Sequence, residues 1–219
     1  MSAVEIDDDA VLWSAGPTDR VDRPLLVLLH GYGSNEGDLF GLGTGLPLEP
    51  VIASLRAPLA APWPLLGWSW YALDTPGAVD PTGAPDPSGV DEAVDAVLRW
   101  LDRLEVAPTS IGLLGFSQGG SLVLQLLRAA PDRFRYAVTL AGFVPTLDHD
   151  GDEALAAAAP PVFWGRGTLD TVIPAAAVLR TTDWLPRHST LTGRIYEGLA
   201  HSVSPQELTD VSAFISREL

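Results

Sequence analysis

Short, almost wholly apolar runs alternate with amphipathic stretches over most of this 219-residue chain, and that alternation is its most restrictive feature. An apolar run of five or so residues suits a strand covered on both faces, and such a strand needs helices on both sides of it. Ala10 to Ser14, Leu25 to Leu29, Val51 to Arg56, Ser110 to Gly115, Tyr136 to Leu140, Pro161 to Gly165 and Leu191 to Tyr196 read as strands. The expectation is an α/β protein with a mainly parallel central sheet and helices on both faces.

Four helices carry their own start or stop signals. Val90, Val94, Val97, Leu98, Leu101 and Leu104 recur at helical spacing and predict a helix over about 89–104, opened by a capping-box pattern of Ser88 and Asp91. Leu122, Val123, Leu126 and Leu127 form a second apolar stripe that ends before Pro131. Pro174 suits the first position of a third helix, with Val178, Leu179 and Leu185 facing inward. Ser204, Pro205 and Glu207 supply an N-cap, a first-position proline and a capping-box acid for the last helix, whose buried stripe is Leu208, Val211, Phe214 and Ile215. The run from Ala154 to Pro161 reads as a further short helix. Asp74 to Gly89, rich in Pro, Gly and Asp, reads as a long surface loop rather than a linker, because the few strands before it cannot bury a core alone. Residues 1–219 are thus expected to form a single domain, with 1–9 a flexible acidic tail.

Composition removes several kinds of chemistry. There is no cysteine, hence no disulfide, thiolate metal site or cysteine nucleophile. All 13 basic residues are Arg, so no lysine Schiff base can form. A formal charge of −15 repels nucleic acid and anionic membrane, and neither is expected as a partner. No apolar run is long enough to span a bilayer, and the N-terminal stretch lacks the basic and apolar regions of a secretory signal, so a cytoplasmic location is expected. No metal and no cofactor is expected, and the oligomeric state is left open between monomer and homodimer.

The positive signal is Gly115-Phe116-Ser117-Gln118-Gly119, directly after one apolar run and directly before one amphipathic stripe. A nucleophile on a tight turn from strand to helix needs small neighbours at both ends, because the backbone is strained and passes close to itself. A serine hydroxyl is weak at neutral pH and needs a base within hydrogen-bond reach, with an acid orienting that base. His201 follows the last strand through a short loop and precedes the final helix, as a base in such a protein should. His188 sits beside Arg187 at the end of a helix, where a cationic cap explains it. Asp170 leaves the strand Pro161 to Gly165 and is the expected acid. Asp183 falls mid-helix, and Asp148, Asp150 and Asp152 fall in a polar loop. Two N–H donors must hold the oxyanion: the backbone of Gln118, next to the nucleophile, and that of Tyr32, in the loop after Leu25 to Leu29. His30 in that loop is expected to order it rather than to move protons.

The blocks Leu29-His30-Gly31-Tyr32-Gly33-Ser34-Asn35-Glu36, Gly115-Phe116-Ser117-Gln118-Gly119-Gly120 and Gly167-Thr168-Leu169-Asp170-Thr171-Val172-Ile173-Pro174, together with His201, resemble the phospholipase/carboxylesterase family of α/β-hydrolases. That family includes bacterial carboxylesterases and acyl-protein thioesterases. The resemblance runs from about residue 22 to 217. It implies an α/β-hydrolase fold with no separate cap domain, no cofactor, a triad of Ser117, Asp170 and His201, and an oxyanion hole of Tyr32 and Gln118. The expected substrate is a small acyl ester or thioester, cleaved through an acyl-enzyme intermediate, and of short to medium chain because no insertion is large enough for a separate lid and aromatics crowd the segment before the nucleophile. Lysophospholipase, lactonase or perhydrolase chemistry on the same triad is the alternative, with a non-catalytic binding module behind it. The segment Ala57 to Tyr71 departs from the family pattern in its density of Pro and Trp. Trp63, Trp68, Trp70 and Tyr71 are expected to wall the acyl pocket, with Phe143 and Val144 as further substrate contacts.

Overall fold

A computed structural model describes residues 4–73, 87–145 and 149–219. In chain order the elements are β1 (Leu12–Trp13), β2 (Leu25–Leu29), α1 (Glu36–Phe40), β3 (Val51–Leu55), β4 (Leu59–Ala60), β5 (Trp68–Ser69), α2 (Pro87–Asp102) and β6 (Ile111–Phe116). They continue with α3 (Gln118–Ala129), β7 (Tyr136–Leu140), α4 (Asp152–Ala158), β8 (Pro161–Gly167), α5 (Ala175–His188), β9 (Thr190–Tyr196) and α6 (Pro205–Glu218). Among the described residues seven strands form one sheet in the order β1-β3-β2-β6-β7-β8-β9, and of these only β1, at the edge, runs antiparallel to its neighbour.

The wholly apolar strands are buried on both faces because their side chains alternate between two cores. Leu25, Val27 and Leu29 of β2 join the core under α2, α3 and α5, built around Val94, Val97, Leu122, Leu126 and Trp184. Leu26 and Leu28 join the other core, which α6 closes with Val211, Phe214 and Ile215. No helix among the described residues is long and apolar enough to cross a membrane.

β2 lies between β3 and β6, and its register with β6 pairs Leu29 with Gly115. The chain leaves β2 toward one side of the sheet and returns as β6 on the other. This is a point where strand order reverses, which in open α/β sheets opens a crevice at the carboxyl ends of the strands. The loop after β2 and the turn after β6 therefore emerge side by side.

Several local expectations are corrected. Residues 4–9 are not a free tail: Ile6 is buried, the Asp7 side chain accepts from the Asp9 N–H at 3.1 Å, and Arg99 donates to the Val4 carbonyl at 2.8 Å. Apolar Ile6 anchors the segment while its carboxylates stay in water. Pro174 stands one residue outside α5 as its N-cap, and Leu179 is exposed, because the inward stripe of that helix is Ala177, Thr181, Trp184 and Leu185. α2 begins at Pro87, so Ser88 lies inside its first turn rather than before it. Glu207 follows half of its capping pattern, since the Ser204 hydroxyl accepts from the Glu207 N–H at 3.1 Å while the Glu207 side chain is buried. The short ladder of β4 with β5 has no counterpart in the sequence reading. The long loop at 74–89 lies outside the described residues as far as 86, as does Asp148.

Candidate active site

β6 delivers Ser117 to the crevice on a turn with φ 54° and ψ −115°. A serine pays heavily in sterics for positive φ, and such strain persists only where the surroundings enforce it. Here they do. A Cβ on Gly115 would stand 2.2 Å from the Gly119 carbonyl oxygen, and one on Gly119 would stand 2.0 Å from that of Leu29. Both glycines of the motif are thus required by backbone passing against backbone, and the strained serine between them is held with its hydroxyl outward.

The base and acid arrive from the carboxyl ends of later strands. His201 Nε2 lies 2.9 Å from Ser117 Oγ, and His201 Nδ1 lies 2.7 Å from Asp170 Oδ2. A carboxylate can only accept, so Nδ1 carries the proton and Nε2 is the free base facing the serine. The other oxygen of Asp170 accepts from the backbone N–H groups of Val172 at 2.9 Å and Ile173 at 3.2 Å. Asp170 is therefore both a turn residue and the hydrogen-bond partner of the His201 ring. Burial pushes its carboxyl up, but the hydrogen bonds from His201, Val172 and Ile173 outweigh burial and hold it below the ordinary carboxylate value. Asp183, by contrast, is exposed and paired with Arg187, Asp152 binds Arg128, and His188 caps its helix over the Trp184 ring.

A cavity of about 170 Å³ opens over Ser117 and His201, with Tyr32 and Gln118 in its wall. As the first residue of α3, Gln118 has an N–H that its own helix cannot satisfy. A larger cleft, of about 300 Å³ between Trp13, Arg20 and Trp100, lies off the opposite ends of the strands and holds none of the triad.

The rest of the pocket corrects the sequence reading. Tyr71 and Phe143 line it as expected, and burial pushes the Tyr71 phenol up to about 12 although neighbouring Ser121 pulls the other way. Trp70 does not line it; it is 1% exposed and belongs to the core. Trp68 is turned aside under Arg56, whose guanidinium stands 5.1 Å from its ring, and Trp63 is 88% exposed. Val144 faces α5, donating its N–H to Thr181 at 2.9 Å. Their places are taken by Leu73, Val172 and Ile173. The latter two come from the turn after Asp170, so the loop that carries Asp170 also lines the cavity. The apolar Val172-Ile173 pair two residues after Asp170 is the sequence signal that could have found them.

His30 is 1% exposed, and its Nε2 accepts from the Ala57 N–H at 3.0 Å. Its proton is therefore on Nδ1, which donates to the Gly31 carbonyl at 2.8 Å. Burial lowers its pKa, though the Gly31 contact and Glu36 oppose this, and it stays neutral.

The family model for Phospholipase/Carboxylesterase matches residues 16–219. Acyl-protein thioesterase 1 of Saccharomyces cerevisiae is 29% identical over 119 residues, covering 52% of this chain and 52% of the thioesterase. Carboxylesterase SOBER1 of Arabidopsis thaliana is 32% identical over 134 residues, or 58% of each. The chain thus spans about half the length of the curated relatives it matches. The crystal structure of the Bacillus cereus carboxylesterase superposes with a TM-score of 0.77 at 19% identity, over 95% of this chain and 94% of that one. Zea mays acyl-protein thioesterase 2 gives 0.77 at 21%, over 95% and 98%. At these identities the two structures speak to the α/β-hydrolase fold.

Proposed function

The chain belongs to the phospholipase/carboxylesterase family, and from that membership we propose that it is a serine hydrolase, folded as one domain, that cleaves small carboxylic esters or thioesters through an acyl-enzyme. The observation that carries this reading is the unbroken line from Asp170 through His201 to Ser117, 2.7 Å and then 2.9 Å, at the mouth of an apolar cavity. In the first half-reaction Ser117 Oγ attacks the acyl carbon and its proton passes to His201 Nε2. The imidazolium so formed is stabilised by the Asp170 carboxylate, already ionised because its pKa is lowered. The oxyanion points at the backbone N–H groups of Tyr32 and Gln118. Collapse expels the alcohol or thiol, which takes the proton from His201. In the second half-reaction water attacks the acyl-Ser117 and gives a proton to His201 Nε2, and collapse breaks the acyl–Oγ bond, returning that proton to Ser117 Oγ as the carboxylic acid leaves. The cavity sets the acyl size: about 150 Å³ of apolar space holds a benzene ring, so 170 Å³ suits groups of that bulk.

The test is active-site labelling by a fluorophosphonate together with turnover of p-nitrophenyl esters and of acyl thioesters. Wild type should label and hydrolyse, and Ser117→Ala should do neither, with turnover lower by roughly three to six orders of magnitude. A Ser117→Ala protein that turns esters over at the wild-type rate removes Ser117 from the reaction.

A further inference from the structure

The two oxyanion donors sit on different elements, Tyr32 in the loop after β2 and Gln118 at the start of α3, and their separation must be held to a fraction of an ångström for both to reach one oxygen. A single buried residue ties both together. The Trp70 indole N–H donates to the His30 carbonyl at 2.8 Å, and the Trp70 backbone N–H donates to Gln118 Oε1 at 2.9 Å. The carboxamide of Gln118 completes the clasp by donating from Nε2 to the Tyr71 carbonyl at 2.8 Å. The His30 ring lies against the Trp70 indole, 5.4 Å between centroids.

The aim of the Tyr32 N–H follows from the planarity of the peptide. Gly31 C=O and Tyr32 N–H belong to one trans peptide unit and point in opposite directions. The His30 Nδ1–H draws the Gly31 carbonyl toward the imidazole, so the Tyr32 N–H is turned the other way. Trp70 holds the preceding carbonyl, that of His30, and packs on the ring that makes this bond.

We propose that Trp70 is a positioning residue that couples the two halves of the oxyanion hole, its indole fixing the His30–Tyr32 loop and its backbone fixing the side chain of Gln118. The inference rests on the proposed hydrolase function and assigns Trp70 no contact with substrate.

Trp70→Phe removes the indole N–H and keeps an aromatic ring. Interactions made in the transition state alone act on kcat and leave KM. For p-nitrophenyl butyrate, kcat per fluorophosphonate-titrated site should fall about 10- to 100-fold, less than the loss of a whole oxyanion donor, while KM stays within about twofold. Affinity for an alkyl trifluoromethyl ketone, which adds Ser117 to give a tetrahedral oxyanion, should fall by the same factor as kcat/KM. The preference among acyl chain lengths should not move. If Trp70→Phe does not fold, the analogue of Trp70 with sulfur in place of the indole N–H keeps the bicyclic ring and is measured in the same way. Unchanged kcat per titrated site, or a loss carried by KM with ketone affinity intact, overturns the inference and leaves the hydrolase reading standing. A wild type that neither labels nor hydrolyses any ester sinks both.

Discussion

At the residue scale, the site is made by backbone as much as by side chains. Ser117 is strained, two glycines allow the strain, Asp170 is oriented by two N–H groups of its own turn, and both proposed oxyanion donors are peptide groups. On the proposed reading, specificity falls instead to the few side chains around the cavity. Among the described residues Phe143 is the largest apolar one that lines it, 3% exposed, and its truncation should lengthen the pocket. Each methylene buried contributes about 0.8 kcal/mol, or about a fourfold gain in kcat/KM per carbon until the pocket is full. Wild type should gain from acetate to about hexanoate, a chain of roughly benzene's bulk, and then level off. Phe143→Ala should shift that plateau to longer chains, and p-nitrophenyl esters from acetate to palmitate measure it. An identical profile in the variant would mean the acyl chain lies along another wall.

At the element scale, the packing of α6 on β8 carries a buried acid that the proposed reaction does not use. Glu207 is 1% exposed, and a Cβ on Gly165 would stand 2.1 Å from its Oε1, so the missing side chain at Gly165 makes the space it fills. Its Oε2 has no hydrogen-bond partner among the described residues. Burial pushes its pKa up to about 7, opposed by the Ser204 contact and reinforced by Asp210, which also accepts from the Tyr196 hydroxyl at 2.9 Å. Between the ordinary carboxylate value and about 7 the folded state therefore binds more protons than the unfolded one, so stability falls as pH rises through that window and levels off above it. The full effect is about 3 kcal/mol in order of magnitude. Glu207→Gln keeps the shape of the neutral acid and should raise Tm relative to wild type by an amount that grows between about pH 5 and about pH 8. A Tm difference that is the same at both ends would show that Glu207 does not titrate in that range.

At the scale of the whole molecule, 28 acidic residues against 13 arginines surround a pocket whose own wall is mainly apolar. The field acts on the approach of a charged substrate, and salt screens it over about 10 Å at 0.1 M. An ester bearing a carboxylate should therefore show kcat/KM that rises between about 0.01 M and about 0.15 M salt, one bearing an ammonium should show the reverse, and a neutral ester of equal size should change little. Equal salt responses for all three would mean that local charges at the pocket mouth, not the net charge, govern encounter.

What the sequence determined by itself was whatever is local or ordered along the chain. Apolar runs specified strands, the Gly115 to Gly119 pattern between a strand and a helix marked Ser117 as the candidate nucleophile, and chain order singled out Asp170 and His201, which the structure brings into hydrogen-bond contact with it. The lining of the cavity was not local. Trp63, Trp68 and Trp70 are near neighbours in the chain, yet one is exposed, one lies under an arginine and one is core, while Leu73, Phe143 and the Val172-Ile173 pair meet from three separate loops. Tryptophan content reveals that a segment will bury aromatic surface, but which way each ring turns depends on partners far away in sequence. The same holds for Trp70 and Glu207: the carbonyl of His30, the carboxamide of Gln118 and the bare backbone of Gly165 are brought to them by sheet order and register, and only the tertiary structure decides those.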